Sequence, residues 1–309
     1  MTRLTTPDGS ALSPFAYGTM QWGGKASDDD ARAMYDACRA AGLNHFDTAW
    51  IYTEGRSEEI LGRLAGPDRD ALFLATKVAM AGGAGAANIR TQLGESLDRM
   101  QMDGVDLLYL HRWNDDPLDE TLGALAALKA EGKFRYLGVS NFAAWQVMKF
   151  QCAAEKHGLR VDVLQPMYNV VKRQAEVELL PMCASEGILP ATYSPLGGGL
   201  LTGKYQRGEA GRLSEDDRYA ARYNPDWMHE AARGLGAIAE ELGTHPATLA
   251  VAWVARHAAQ PAPIISGRSL DQLQPSLDAL DFNMTQGLYD LLADLAPDPP
   301  PATDRLEEA

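Results

Sequence analysis

Two rhythms of apolar and polar positions alternate along the chain. Short, mostly apolar runs occupy 15–18, 45–47, 72–77, 107–111, 136–140, 163–166, 188–193 and 262–265, each too brief for a helix. Between them lie stretches with helical spacing. Ser27-Asp28-Asp29-Asp30 opens one of these, placing acids at the positive end of a helix that runs to Ala41 and stops at Gly42. Leu122, Leu125 and Leu128 make the apolar face of another before Gly132, and a third covers 143–157 and ends at Gly158. The runs end 29, 30, 34, 29, 26, 27 and finally 72 residues apart, and about 30 residues is the length of one βα unit.

Eight such units predict an α/β chain with a parallel sheet, and eight is the number that closes a (β/α)8 TIM barrel, here one domain over 1–309. An open, doubly wound sheet is the competing arrangement; to bind a dinucleotide it needs a glycine-rich turn directly after the first strand. That position has none. The nearest stretch, Gly83-Ala84-Gly85-Ala86-Ala87-Asn88, follows the third run and reads as a loop. Pro7-Asp8-Gly9 predicts a hairpin within 1–13 that closes the barrel bottom. The long last step carries Gly197–Gly199, Gly203, Gly208 and Gly211 before two helices, the size of a functional loop above a barrel. Residues 297–309, rich in proline and acids, read as a loose tail.

Charge narrows the partners. With 28 Lys and Arg against 42 Asp and Glu, the net charge is −14, a field that repels nucleic acid and anionic membranes alike. Cys38, Cys152 and Cys183 are too few and scattered for a disulfide framework, which fits a reducing compartment. The first residues lack the apolar core of a secretory signal. The longest uncharged stretch, 187–203, is broken by Pro190, Pro195 and glycines, so no membrane span is expected. A cytoplasmic protein acting on a small molecule is the expectation; oligomeric state is not legible.

In a parallel barrel the strand ends meet at one face, where chemistry sits. Three neighbouring strands end in Asp47, Lys77 and His111, and Tyr52 follows Asp47 by five residues. Each has a plainer role when taken alone: a packed tyrosine, a lysine leaving its strand for water, a core histidine, a capping aspartate. Together they make a specific set. Lys77 beside Tyr52 favours the phenolate and lowers its pKa, while Asp47 keeps Lys77 charged. His111 can donate to an oxygen on which negative charge develops. An acid and an oxyanion partner, without a nucleophile or metal cluster, suit hydride addition to a carbonyl, with the hydride drawn from a cofactor.

These residues lie in a chain that resembles the aldo-keto reductases. His45-Phe46-Asp47-Thr48-Ala49-Trp50-Ile51-Tyr52, then Arg56-Ser57-Glu58-Glu59-Ile60-Leu61-Gly62, is similar to that family's second-strand motif. Lys77, Leu110-His111, the stretch 133–142 and Tyr193-Ser194-Pro195-Leu196-Gly197 match its others, within a similarity from Gly18 to Ser276. The chain looks nearer the bacterial and potassium-channel β-subunit branch than the mammalian aldose reductases.

The resemblance implies a nicotinamide cofactor across the strand ends, with Asp47, Tyr52, Lys77 and His111 as catalytic tetrad and Tyr52 as general acid. Ser140, Asn141 and Gln165 would hold the carboxamide, and Tyr193 would stack on the ring. Gly18, Thr19 and Met20 would line its other edge. Ser194, Leu196, Gly198, Leu200 and Lys204 would meet the pyrophosphate. Ser266, Gly267, Arg268, Ser269 and Gln272 would take the adenosine end. Arg268 and Ser269 suit a 2′-phosphate, favouring NADP(H) with NAD(H) as the alternative. The chain departs from the family pattern at Gln272 and Pro275-Ser276, which leaves the adenine contact open, and at Trp50, where the family often has a polar or acidic residue. Trp50, with Trp22, Trp113 and Trp227, suggests an aromatic substrate wall or, alternatively, core packing.

The implied activity is reduction of an aldehyde or ketone. Alternatives are oxidation of a sugar or alcohol by the same site, a cofactor-sensing interaction module, and a metal hydrolase using His45 and Asp47. The last lacks the full set of histidines at later strand ends that such a metal site needs, and no metal is expected.

Overall fold

The computed structural model describes residues 4–303 and 305. Eight strands close a barrel in chain order: β1 (Ala16–Gly18), β2 (His45–Asp47), β3 (Phe73–Val78), β4 (Val105–Leu110), β5 (Phe134–Ser140), β6 (Val163–Gln165), β7 (Leu189–Thr192) and β8 (Ala262–Ile265). Every neighbouring pair is parallel, and Ala16 opposite Ile264 closes the ring. The open sheet is thereby overturned.

Side-chain size explains the closure. Ala16, Ala75 and Ala191 share the interior with Phe73, Leu107, Tyr109, Val163 and Ile264. Gly138 is required there: a Cβ on it would stand 2.3 Å from the Tyr109 ring, which fills the space over it. The opposite strand faces pack under the helices. Helix α1 (Asp28–Ala40) starts where the acidic run predicts, at a capping box in which Ser27 and Asp30 satisfy each other's backbone. Gly62 in α2 (Arg56–Ala65) lies so close to α3 (Ala86–Met100) that a Cβ would meet the Met100 carbonyl at 2.3 Å. Helices α4 (Leu118–Ala130), α5 (Ala144–Ala154) and α6 (Leu179–Glu186) complete the central units.

Two local expectations change. The 83–88 stretch is a loop only as far as Gly85, because α3 begins at Ala86. Its first turn has no side-chain cap of its own; Glu120 accepts from the Ala86 amide instead, a partner remote in sequence. The insertion before β8 contains not only α9 (Asp226–Glu241) and α10 (Pro246–Arg256) but also the short α7 (Arg212–Glu215) and α8 (Asp217–Arg222), inside the glycine-rich part. Helices α11 (Leu270–Leu277) and α12 (Gln286–Ala293) follow β8.

At the N-terminus Thr5 pairs antiparallel with Ala11, and Leu4 and Leu12 pack onto the barrel interior, closing its bottom; residues 1–3 of the expected hairpin lie outside the described residues. Asp298, in the expected tail, pairs with Arg173 at 2.9 Å, while residues 304 and 306–309 lie outside the described residues. No helix among the described residues is long and apolar enough to cross a membrane.

Candidate active site

Strand alternation delivers the charged centre. Phe46 points out into the helix layer, so His45 and Asp47 point into the barrel. Lys77, fully buried at the end of β3, donates to Asp47, to the Thr48 carbonyl at 2.7 Å and to the Tyr52 hydroxyl at 3.4 Å. Across the barrel, Gln165 Nε2 donates to the other Asp47 oxygen at 2.9 Å. His111 completes the group, its ring edge-on to that of Tyr52 with centroids 5.8 Å apart. The expected four side chains do converge.

Their protonation follows from their surroundings. Burial works against the Lys77 charge, but Asp47 and Tyr52 lift its pKa above the ordinary lysine value. Burial also pushes Tyr52 up; Lys77 pulls it down, yet the net direction is upward. This corrects the expectation of a lowered phenol. The full burial of Lys77 beneath it marks a centre where desolvation outweighs the neighbouring cation. Tyr52 thus holds its proton at neutral pH. His111 is pushed down to about 3 by burial and the Lys77 charge, so its imidazole is neutral. Burial and Lys77 also bring His45 down to about 3. Asp47 already serves Lys77 and Gln165, and among the described residues no three His, Cys, Asp or Glu side chains form a metal-binding group.

Beside this centre the loops after β4, β5 and β7 meet. Asn141 bridges two loops: its amide donates to the His111 carbonyl at 2.9 Å, and its Oδ1 accepts from the Tyr193 hydroxyl at 2.8 Å. Ser140 Oγ donates to the Gln165 carbonyl at 3.1 Å. Beyond Tyr193 the chain turns through Ser194 and three successive left-handed glycines; a Cβ on Gly198 would stand 2.8 Å from Tyr219, and one on Gly199 2.8 Å from Lys204 Cε. Lys204 and Arg212 have no carboxylate within ion-pair distance among the described residues. Burial and the nearby Arg268 charge bring the Lys204 pKa down. Uncompensated cations beside bare backbone fit the phosphates of a dinucleotide.

At the far end Arg268 is engaged by Glu215 at 3.0 Å and by Gln21 at 3.3 Å. Ser269 caps α11, and Gln272 accepts from the Arg268 amide at 3.3 Å. Ser266 and Gly267 link β8 to this cap, whereas Ser276 is buried within α11.

Several expected contacts move elsewhere. Trp22 is fully buried and donates to the Tyr17 hydroxyl at 3.0 Å, so it belongs to the core and not to a substrate wall. Trp50 turns to α3 and donates to Glu95 at 2.6 Å, with the Arg99 guanidinium 5.6 Å from its ring centre. Trp227 packs against the core. Thr19 spends its hydroxyl on Ser57 and the Asp47 carbonyl, and Leu200 is core. Gly18 abuts Ile264, and half-buried Met20 follows. Leu196 packs on the core cluster. Trp113 remains near the mouth, 5.3 Å from Phe142 and 5.7 Å from Trp145 between ring centres.

Sequence reasoning missed exposed Trp145, Ile51 and Met80, the last two in the loops after β2 and β3. It also missed Tyr219, which lies between the Arg212 and Arg222 guanidinium groups at 5.3 and 5.2 Å. Tyr219 lies in α8, which is too short to show an apolar face, so no sequence pattern singles it out.

Comparison with known proteins agrees with this geometry. The sequence profile described as "Aldo/keto reductase family" matches residues 14–296. A probable voltage-gated potassium channel subunit beta of Arabidopsis thaliana is 33% identical, over 88% of this chain and 89% of that protein. The uncharacterized oxidoreductase YrpG of Bacillus subtilis is 32% identical over 94% of each. Aflatoxin B1 aldehyde reductase member 2 of Rattus norvegicus is 33% identical, over 91% of this chain and 84% of that protein. A barrel closed by eight parallel strands, a buried lysine between aspartate and tyrosine, and a match across nearly the whole length all lead to one statement: the chain belongs to the aldo/keto reductase family.

Proposed function

We propose that this oxidoreductase reduces an aldehyde or ketone to an alcohol with NADP(H), using Tyr52 as the general acid. One observation carries the reading: a protonated Tyr52 stands 3.4 Å from a buried, charged Lys77 that Asp47 holds in place. NADPH, when bound, supplies the hydride. Tyr52 gives its proton to the oxygen that becomes the alcohol, and Lys77 stabilises the phenolate left behind. Neutral His111 orients the carbonyl oxygen by a hydrogen bond. Ser140, Asn141, Gln165 and Tyr193 would hold the nicotinamide end, Gly198, Lys204 and Arg212 the pyrophosphate, and Arg268 the 2′-phosphate.

Exposed Ile51, Met80 and Trp145, with half-buried Trp113, would supply the apolar side of the mouth, which favours a carbonyl with a bulky apolar body. The same groups serve alcohol oxidation when Tyr52 starts as phenolate. A cofactor-sensing module, suggested by the channel-subunit relative, has no need of so complete an acid centre. The test is NADPH and NADH consumption with a carbonyl panel, and the reverse reaction with alcohols. Turnover with apolar aldehydes and NADPH supports the reading; absence of turnover with every carbonyl and alcohol contradicts it.

A further inference from the structure

The segment after Tyr52 is strained. Thr53, Glu54 and Gly55 are successively left-handed, with φ of 45°, 56° and 92°, and two of them carry side chains that disfavour this region. Such a run persists only where its surroundings hold it. On one side Thr53 does so itself, donating to the Trp22 carbonyl at 2.8 Å and accepting from the Ser57 amide at 3.0 Å.

On the other side stands Arg99, near the end of α3. Its Nη1 donates to the Trp50 carbonyl at 2.9 Å and to Glu58 at 3.0 Å. A Cβ on Gly55 would come 2.5 Å from its Nε, so glycine is what lets the guanidinium press against the turn. The guanidinium also faces the Trp50 ring, whose Nε1 is tied to Glu95. Glu58 is fully buried, and its other oxygen accepts from Thr76 at 2.7 Å. Thr76 precedes Lys77, and the Trp50 amide donates to the Lys77 carbonyl at 3.0 Å. One guanidinium therefore fastens the chain two residues before Tyr52 and, through Glu58, the residue before Lys77.

We propose that Arg99, with Trp50 and Glu58, is a positioning residue that sets the distance between Tyr52 and Lys77. It touches neither substrate nor cofactor and acts through the Tyr52 loop. At 3.4 Å that contact is already at the limit of a hydrogen bond, so a small outward shift removes it. The groups facing the phenol are Lys77, Asp47, His111, Tyr109 on β4, Tyr193 after β7 and, from α8, Tyr219; of these the clamp reaches Lys77 directly. This inference rests on the assignment of Tyr52 as the acid.

The experiment compares Arg99→Lys, Trp50→Phe and Tyr52→Phe with wild type in kcat, KM, NADPH Kd and the pH profile of kcat. Arg99→Lys keeps a cation for buried Glu58 but loses the forked contact. The expected result is a fall in kcat of about tenfold or more, with NADPH Kd within about twofold and the alkaline limb moved to higher pH, as a phenol farther from Lys77 holds its proton longer. Trp50→Phe, which keeps a ring under the guanidinium, should give the same pattern more weakly and serves if Arg99→Lys does not fold. A lower Tm with unchanged kcat and unchanged pH limb in the folded variant overturns the proposal. Tyr52→Phe separates the two claims: its loss of turnover confirms the acid whatever the clamp does, and its full activity overturns both.

Discussion

Lys77 Nζ stands 3.4 Å from Tyr52 Oη at the ends of adjacent barrel units, the lysine wholly buried and the tyrosine half-buried. The arrangement keeps a cation beside a phenol that burial holds in its protonated form. An acid of this kind is available over a wide pH range.

The pH dependence of reduction follows. Tyr52 is raised above the ordinary tyrosine value, and His111 titrates near about 3. Both are in their working forms from about pH 5 to about pH 9, so kcat for carbonyl reduction should be level across that span and fall only above it. Stopped-flow measurement of the hydride step across this range checks it, and a limb near neutrality contradicts the assignment.

Acid should loosen the fold through histidine. His45 and His111 are both held near about 3 by burial, with Lys77 adding to it. In the unfolded chain each takes a proton near about 6.5. Between these values only the unfolded state gains the proton, so stability is fully present above about pH 6.5 and declines as pH falls towards about 3. Tm measured from pH 7 to pH 4 should drop, and the drop should be shallower in His45→Phe, which keeps an aromatic ring against Phe73. Equal slopes in the two proteins would sink the idea.

On the proposed reading, cofactor choice turns on Arg268. Its guanidinium pairs with Glu215, which also reaches Lys25 at 3.6 Å. A 2′-phosphate must displace that carboxylate, so the net gain lies at the lower end of about 1.5–3 kcal/mol for a charged hydrogen bond. Arg268→Ala should weaken NADPH binding about tenfold and leave NADH nearly untouched, as read by cofactor fluorescence titration. Equal losses for both cofactors would show that Arg268 does not meet the 2′-phosphate.

The sequence made the barrel and the convergence of Asp47, Lys77 and His111 legible because both depend on strand period. Runs ending near every thirtieth residue bring Asp47, Lys77 and His111 to one face, and alternation fixes which side each takes. Past a strand end no period survives, and side-chain direction is set by partners remote in sequence. Trp50 therefore reads as a substrate wall although Glu95 and Arg99 draw it to α3. Trp22 likewise disappears under Tyr17. Helices α7 and α8 are too short to show an apolar face, so Tyr219 and Glu215 carry no pattern that betrays them. Arg99 looks like an ordinary basic residue at a helix C-terminus until its partner Glu58 is seen to be buried.

The most direct measurement is a single turnover of Tyr52→Phe with NADPH and an apolar aldehyde, beside wild type, Lys77→Met and the double variant. Removing one hydroxyl keeps the ring, so NADPH Kd should stay within about twofold. General acid catalysis is worth about 10²–10⁴-fold, so the hydride step should slow by at least a hundredfold. Lys77→Met should cost a similar factor, and the double variant little more than either alone, since the two residues act as one unit. A hydride step in Tyr52→Phe as fast as wild type would contradict Tyr52 as the acid.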